Sequence, residues 1–257
     1  MAATFSTQPV PFMATILLGD DSMLRCCTID INRLKHLTIP QQLAFSDPPK
    51  PHPSVLGYDD ERACAIMIEL VLRDNQIRKI PDVSIFKRLL VFDVSYNEIS
   101  TLNGLSAVSN TLQELYLSKN EVSKIEEIEH FHELQILELG SNRLRVMENM
   151  QSLTNLQELW LGRNRIRDIN LCGLKCIKKI SLQSNHLTSI SGLEECIAVE
   201  ELYLSHNGIS KMEGLSTLVN LRVLDVSANK LSAVNGIENL NQYGPNPILP
   251  LARLEVL

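Results

Sequence analysis

The chain has 257 residues with 24 basic and 30 acidic side chains, a formal charge of -6 and a pI near 5.6; this balance disfavours a nucleic-acid phosphate backbone as partner and suits a basic or mixed-charge protein surface. Its six cysteines, Cys26, Cys27, Cys64, Cys172, Cys176 and Cys196, show no paired framework spacing and read as free thiols of a reducing compartment. No Asn opens an N-x-S/T sequon, the first Lys or Arg is Arg25, and no stretch approaches the roughly 18 uninterrupted apolar residues of a membrane span, so neither a secreted nor a membrane-inserted protein is expected.

Residues 1–62 read as an irregular leader. Pro9 and Pro11 interrupt its apolar start, and the segment DPPKPHP at 47–53 carries four prolines in seven residues, which forbid helix and sheet pairing alike. Within it, Leu24 to Ile39 has Leu and Ile spacing that one degenerate capping repeat would also give.

From residue 63 to 240 the chain repeats. Asparagines stand at 75, 97, 120, 142, 164, 185, 207 and 229, with intervals of 22, 23, 22, 22, 21, 22 and 22. Counting from each Asn, apolar residues recur at +2, +5, +8, +11 and +14, then at +17 and +19. After Asn120 these are Val122, Ile125, Ile128, Phe131, Leu134, Leu137 and Leu139. The final pair has the two-residue period of a strand, and the run in steps of three has the period of a chain with three residues per turn. Each repeat is therefore a short strand, a turn and a tight 3-10 or irregular return, with no room for a long helix. The period and the L-x-x-L-x-L-x-x-N core are the signature of leucine-rich repeats. The expected fold is a leucine-rich-repeat solenoid of eight repeats and a partial ninth, its curved parallel sheet on the concave side. The eight Asn residues read as structural, their amides satisfying backbone groups where each strand ends. One extra residue near Thr111 and one missing around Leu171 belong to the return side.

After Leu240 the register breaks. The segment NQYGPNPILP intervenes, and LARLEVL at 251–257 resembles the start of a ninth strand, so 241–257 reads as an irregular insertion and an incomplete repeat. No cap sequence is visible there, and the expectation is a frayed end or a truncated product.

If +17 and +19 point inward, +16, +18 and +20 face out from the concave side. The +18 column is Val71, Asp93, Tyr116, Glu138, Trp160, Ser181, Tyr203 and Asp225. The +16 column adds Glu69, Glu114, Glu158, Lys179 and Glu201, and +20 is mostly small or polar. Strands favour aromatics in any case, and exposed charge is ordinary solvation. Yet Trp160 is the chain's single Trp, and an exposed Trp among Tyr residues and carboxylates has the composition of a protein-binding hot spot. Chemistry elsewhere is thin. Cys172, Cys176, Cys196 and His206 are near in sequence, but Cys196 occupies an apolar ladder position, where a thiol behaves as a small hydrophobe; His130 and His132 flank the inward Phe131 and read as solvated. No phosphate loop, G-x-S-x-G elbow or H-E-x-x-H occurs. No catalytic residue, cofactor or metal site is expected.

The strand segments LYLSKN, LELGSN, LWLGRN, SLQSN, LYLSHN and LDVSAN, with I-x-x-I/M-E-G/N-L returns, resemble the leucine-rich regulatory subunit of type 1 protein phosphatase over about residues 64–240. The resemblance implies a nuclear and cytoplasmic protein without catalysis of its own, binding the phosphatase catalytic subunit along the concave face and monomeric apart from that partner. It implies contact roles for Asp93, Tyr116, Glu138, Trp160 and Asp225, with Tyr203 as a further candidate and none for Ser181. Trp160 stands where a Phe is the more familiar occupant, and the family's further repeats and C-terminal cap have no counterpart in these 257 residues. The competing class is a leucine-rich-repeat assembly scaffold for an unrelated intracellular protein.

Overall fold

The computed structural model describes residues 67–171 and 173–233, together with the backbone of two strands nearer the N-terminus. Those two are β1 (Ala14–Leu18) and β2 (Arg25–Ile29). Eight strands follow at the repeat spacing: β3 (Met67–Val71), β4 (Val91–Asp93), β5 (Glu114–Tyr116), β6 (Ile136–Glu138), β7 (Glu158–Trp160), β8 (Lys179–Ser181), β9 (Glu201–Tyr203) and β10 (Val223–Asp225). They pair in parallel with their chain neighbours from β3 to β10, so seven full coils lie between eight strands, as a leucine-rich-repeat solenoid requires.

In the three-residue strands β4 to β10 the central residue is buried, and its neighbours are partly exposed except for Ser181 of β8. Leu115, Leu137, Leu159, Ile180 and Leu202 are all fully inaccessible. Together with the +2 to +14 positions they form one continuous apolar column. Each full burial contributes about 1.5–3 kcal/mol of transfer free energy. No coil buries that surface alone, so stability comes from stacking.

The asparagines join the coils. Asn142 Oδ1 accepts from the Val122 N–H of the preceding coil at 2.9 Å, while its Nδ2 donates to Leu117 O, also of that coil, at 2.9 Å and to Leu139 O of its own at 3.0 Å. The same set recurs at Asn97, Asn120, Asn164, Asn185, Asn207 and Asn229. Among the described residues, Asn75 of the first coil donates to Leu72 O and Arg73 O of its own turn. The turn has a second requirement. The residue before each Asn sits in the left-handed region: Asp74, Tyr96, Lys119, Ser141, Arg163, Ser184, His206 and Ala228 have φ between 52 and 60°. None is glycine, so each turn carries a conformational cost of about 1 kcal/mol or more that the inter-coil bonds must offset.

The returns are turns and bends, and the extra residue near Thr111 is absorbed by a 3-10 turn at Ser106–Val108, the one such helix among the described residues. On this side Gly192 and Gly214 have φ of 88 and 77°, and a Cβ there would come within 2.2 Å of Ile169 O and 2.0 Å of Ile190 O; coils pack there at backbone distance.

Two features depart from the sequence expectations. The leader contributes β1 and β2, an antiparallel pair whose β1 adds antiparallel to β3, so the first edge of the parallel sheet is covered and its N–H and C=O groups are paired. The +20 row is also less open than its alternation with +17 and +19 implies. Ser95, Ser118 and Ser205 are buried, because the strand has ended by that point and the chain is already turning. The proline-rich segment 47–53, the rest of the leader, the insertion after Leu240 and the partial ninth strand lie outside the described residues.

Candidate partner-binding face

Parallel pairing places the +18 residues of successive coils side by side. Val71 pairs with Asp93, Asp93 with Tyr116, Tyr116 with Glu138, Glu138 with Trp160, Trp160 with Ser181, Ser181 with Tyr203 and Tyr203 with Asp225. The column read from spacing is thus one physical row across the concave sheet. The +16 residues form a second row beside it, and except for Ser181 every residue of both rows is partly exposed from β4 to β10.

The two rows are tied along each strand. Tyr116 donates its hydroxyl to Glu114 Oε2 at 2.7 Å, Trp160 its indole N–H to Glu158 Oε2 at 3.1 Å, and Tyr203 its hydroxyl to Glu201 Oε2 at 2.9 Å. Each aromatic is held upright by the carboxylate two residues before it, its apolar ring left to the groove. Between the latter two strands, Lys179 Nζ lies 3.7 Å from Glu158 and 3.6 Å from Glu201, bridging the two anchoring carboxylates.

Above Lys179 stands Ser181, and its smallness has a consequence. Trp160 and Tyr203 are two strands apart, about 9–10 Å of sheet, yet their ring centroids are 6.4 Å apart with planes 21° from parallel. The rings lean together across β8, and Ser181 is only 2% exposed. A larger residue at 181 would hold them apart. Such a pair contributes about 0.5–1.5 kcal/mol beyond its burial and offers a rigid apolar surface of two rings.

The electrostatics divide the row. Around Tyr116, partial burial, the bond to Glu114 and the charges of Glu114, Glu138 and Glu158 hold the phenol well above the usual tyrosine range, so it remains a donor. Burial first, then the charges of Glu114 and Asp93, raises Glu69. Asp93 accepts from the Ser95 N–H at 2.8 Å and faces Arg73 at 3.6 Å. Asp225 is opposed by burial, but bonds from Ser227 and Ser205 and the nearby His206 prevail and lower it. At the rim, Tyr96 lies 4.5 Å beneath the Arg73 guanidinium and 5.3 Å beneath the Lys119 ammonium.

The face therefore brings together all six expected residues, Asp93, Tyr116, Glu138, Trp160, Tyr203 and Asp225, in one row. Spacing alone missed the part of Ser181, whose size sets the aromatic pair, and of Lys179, whose bridge offsets part of the charge of two carboxylates beside it. Neither carries a signal in its own coil; both matter only relative to neighbouring strands. No group of three potential metal ligands occurs among the described residues. Cys196 lies in the core, where burial and then Glu195 and Glu194 push its thiol up to about 11, and Cys176 is exposed. His130 and His132 are exposed, and Cys172 lies outside the described residues.

A family model of leucine-rich repeats matches residues 154–195 and 197–240. Over 168 residues, 65% of this chain, the sequence is 65% identical to the protein phosphatase 1 regulatory inhibitor subunit PPP1R7 homolog of Arabidopsis thaliana. The chain spans about half the length of that curated relative, 48%. Among solved structures, internalin C2 of Listeria monocytogenes is similar over 70% of this chain and 80% of its own, with a TM-score of 0.64 and 22% identity. A leucine-rich-repeat protein of Leptospira interrogans is similar over 69% of this chain and 53% of its own, with a TM-score of 0.54 and 27% identity. Both likenesses support the fold.

Proposed function

We propose that this chain, a leucine-rich-repeat solenoid that resembles the regulatory inhibitor subunit of protein phosphatase 1 over 168 residues, is a non-catalytic subunit that binds the catalytic subunit of that phosphatase with its concave face and modulates its activity. The observation that carries the proposal is the in-register row from Asp93 to Asp225, with its stacked, partly exposed Trp160 and Tyr203. Rigid aromatics at the centre of a concave surface contribute binding energy at small entropic cost, because their rotamers are fixed before the partner arrives. The carboxylates of Glu114, Glu138, Asp93 and Asp225 surround them and select a basic partner surface, steering its approach. Of these, Glu114, Glu138 and Asp225 make no ion pair among the described residues, leaving their charges for the partner.

Modulation then follows from occupancy: a subunit laid across the groove covers part of the phosphatase surface and alters what else can reach it. The same reading puts the protein in the nucleus and cytoplasm, where imaging of a tagged full-length chain would locate it. The direct test is retention of purified type 1 phosphatase catalytic subunit by this protein, repeated with Tyr116→Ala and Trp160→Ala. Retention by the wild type and loss with both variants is expected. Failure of the wild type to retain the phosphatase overturns the proposal and favours an assembly scaffold with another partner.

A further inference from the structure

A second surface stands beside the concave face and is unlike it in charge. Where the chain leaves the Asn turn, two successive coils read Asn142-Arg143-Leu144-Arg145-Val146 and Asn164-Arg165-Ile166-Arg167-Asp168. Leu144 and Ile166 are fully buried, so the arginine on each side of them projects outward, and all four are exposed. The Arg165 N–H donates to Leu144 O at 2.8 Å, which sets one coil directly on the other. Arg165 thus follows Arg143, and Arg167 follows Arg145, at roughly the spacing of adjacent strands, about 4.8 Å. Arg163, exposed at φ 56°, adds a fifth guanidinium and also lines the shallow depression that holds Trp160 and Ser181.

Opposing charge is sparse. Glu121, one coil earlier, pairs with Arg143 at 2.5 Å. Among the described residues Arg145, Arg163, Arg165 and Arg167 make no ion pair, although Asp168 adjoins Arg167 in sequence. Like charges in register on neighbouring coils repel, and packing does not ask for them. The equivalent positions on the other coils hold Gln76 and Arg78, Glu98 and Ser100, Glu121 and Ser123, His186 and Thr188, Gly208 and Ser210, or Lys230 and Ser232, so none of these carries a cation at both. In a chain of net charge -6, this concentration of unpaired arginine costs stability without serving the core, which is the mark of a surface kept for a ligand.

We propose that this edge binds a phosphorylated segment of a protein partner. A phosphoryl group carries about -1.5 to -2 charges and three acceptor oxygens. Guanidinium forks grip such a group in pairs, and an arginine cluster is a recurrent way of reading it. The grid from Arg143 to Arg167 presents several forks within reach of one phosphate, and Val146, 57% exposed beside Arg145, offers an apolar contact to the residue next to it. A long nucleic-acid strand suits the surface less, since a polyanion running from the edge onto the concave face would meet Glu138, Glu158 and Glu114. None of the concave row takes part, so the edge acts independently of the phosphatase reading.

The test uses the full chain and a peptide library with a fixed phosphoserine and randomised flanking positions, beside the same library with serine. Expected results are enrichment of the phosphorylated library by about tenfold or more, weakening as salt is added, and loss of that preference in the double variant Arg145→Gln/Arg167→Gln. The exposed positions leave the fold intact, which circular dichroism checks, and Trp160→Ala should bind phosphopeptides as the wild type does. Equal capture of both libraries, an unchanged double variant, or equal competition by a single-stranded oligonucleotide of matched charge would overturn the proposal. Loss of phosphatase retention in Trp160→Ala bears only on the concave face, so the two ideas fail separately.

Discussion

Leu137 and Glu138 are neighbours on β6 but belong to rows that repeat differently. The inward row runs Leu70, Phe92, Leu115, Leu137, Leu159, Ile180, Leu202 and Leu224, all buried and all apolar. The outward row beside it runs Val71, Asp93, Tyr116, Glu138, Trp160, Ser181, Tyr203 and Asp225, with a different chemistry at almost every step. Coil must stack on coil at constant spacing, so the inside is held to large apolar residues, mostly Leu; the outside meets only solvent or a partner and is free to vary. Sameness along the solenoid therefore encodes the fold, and variation along it encodes the partner.

Substitutions in the two rows should separate accordingly. The largest effect is expected inside: Leu137→Ala, at a position with no solvent access, should cost about 3–4 kcal/mol in urea unfolding. Next comes Asn142→Ala, which strands the Val122 N–H and takes one of two amide donors from each of the Leu117 and Leu139 carbonyls, and should cost about 2 kcal/mol by the same measurement. On the face, Trp160→Ala removes one ring of the stacked pair and should cost only about 1 kcal/mol in thermal melts; a loss as large as that of Leu137→Ala would erase the distinction between the rows.

The smallest effect has the opposite sign. Glu69 is raised in the fold, so the folded state holds its proton more tightly than the unfolded chain does, and stability is lost as pH rises from the ordinary glutamate range through the raised value. Glu69→Gln removes that loss. The variant should melt slightly higher than wild type near neutral pH, and the gap should close as pH falls below the ordinary range, where both carry no charge at 69.

How far these rows were legible in the sequence follows from the same contrast. The period, the strand positions and the Asn ladder could be read because identical residues recur, and the +18 column became a row because regular coils pair in register. What depended on neighbouring coils could not be read. The spacing from Val122 to Asn142 does not announce that their N–H and Oδ1 meet across coils. The left-handed residue before each Asn is Asp, Tyr, Lys, Ser, Arg, Ser, His or Ala in turn, so no glycine marks it. The lean of Trp160 toward Tyr203 depends on the small Ser181 between them, and the antiparallel strands β1 and β2 depend on an edge that no repeat period describes.

The central claim is that the varied row meets the partner. Trp160 is the chain's only tryptophan, so incorporation of 5-fluorotryptophan places a single fluorine at the middle of that row. Titration with unlabelled phosphatase catalytic subunit, followed by fluorine NMR, should move or broaden this one resonance in step with complex formation. A complex that forms, by sedimentation of the same samples, while the Trp160 resonance stays at its free position and width would contradict the account.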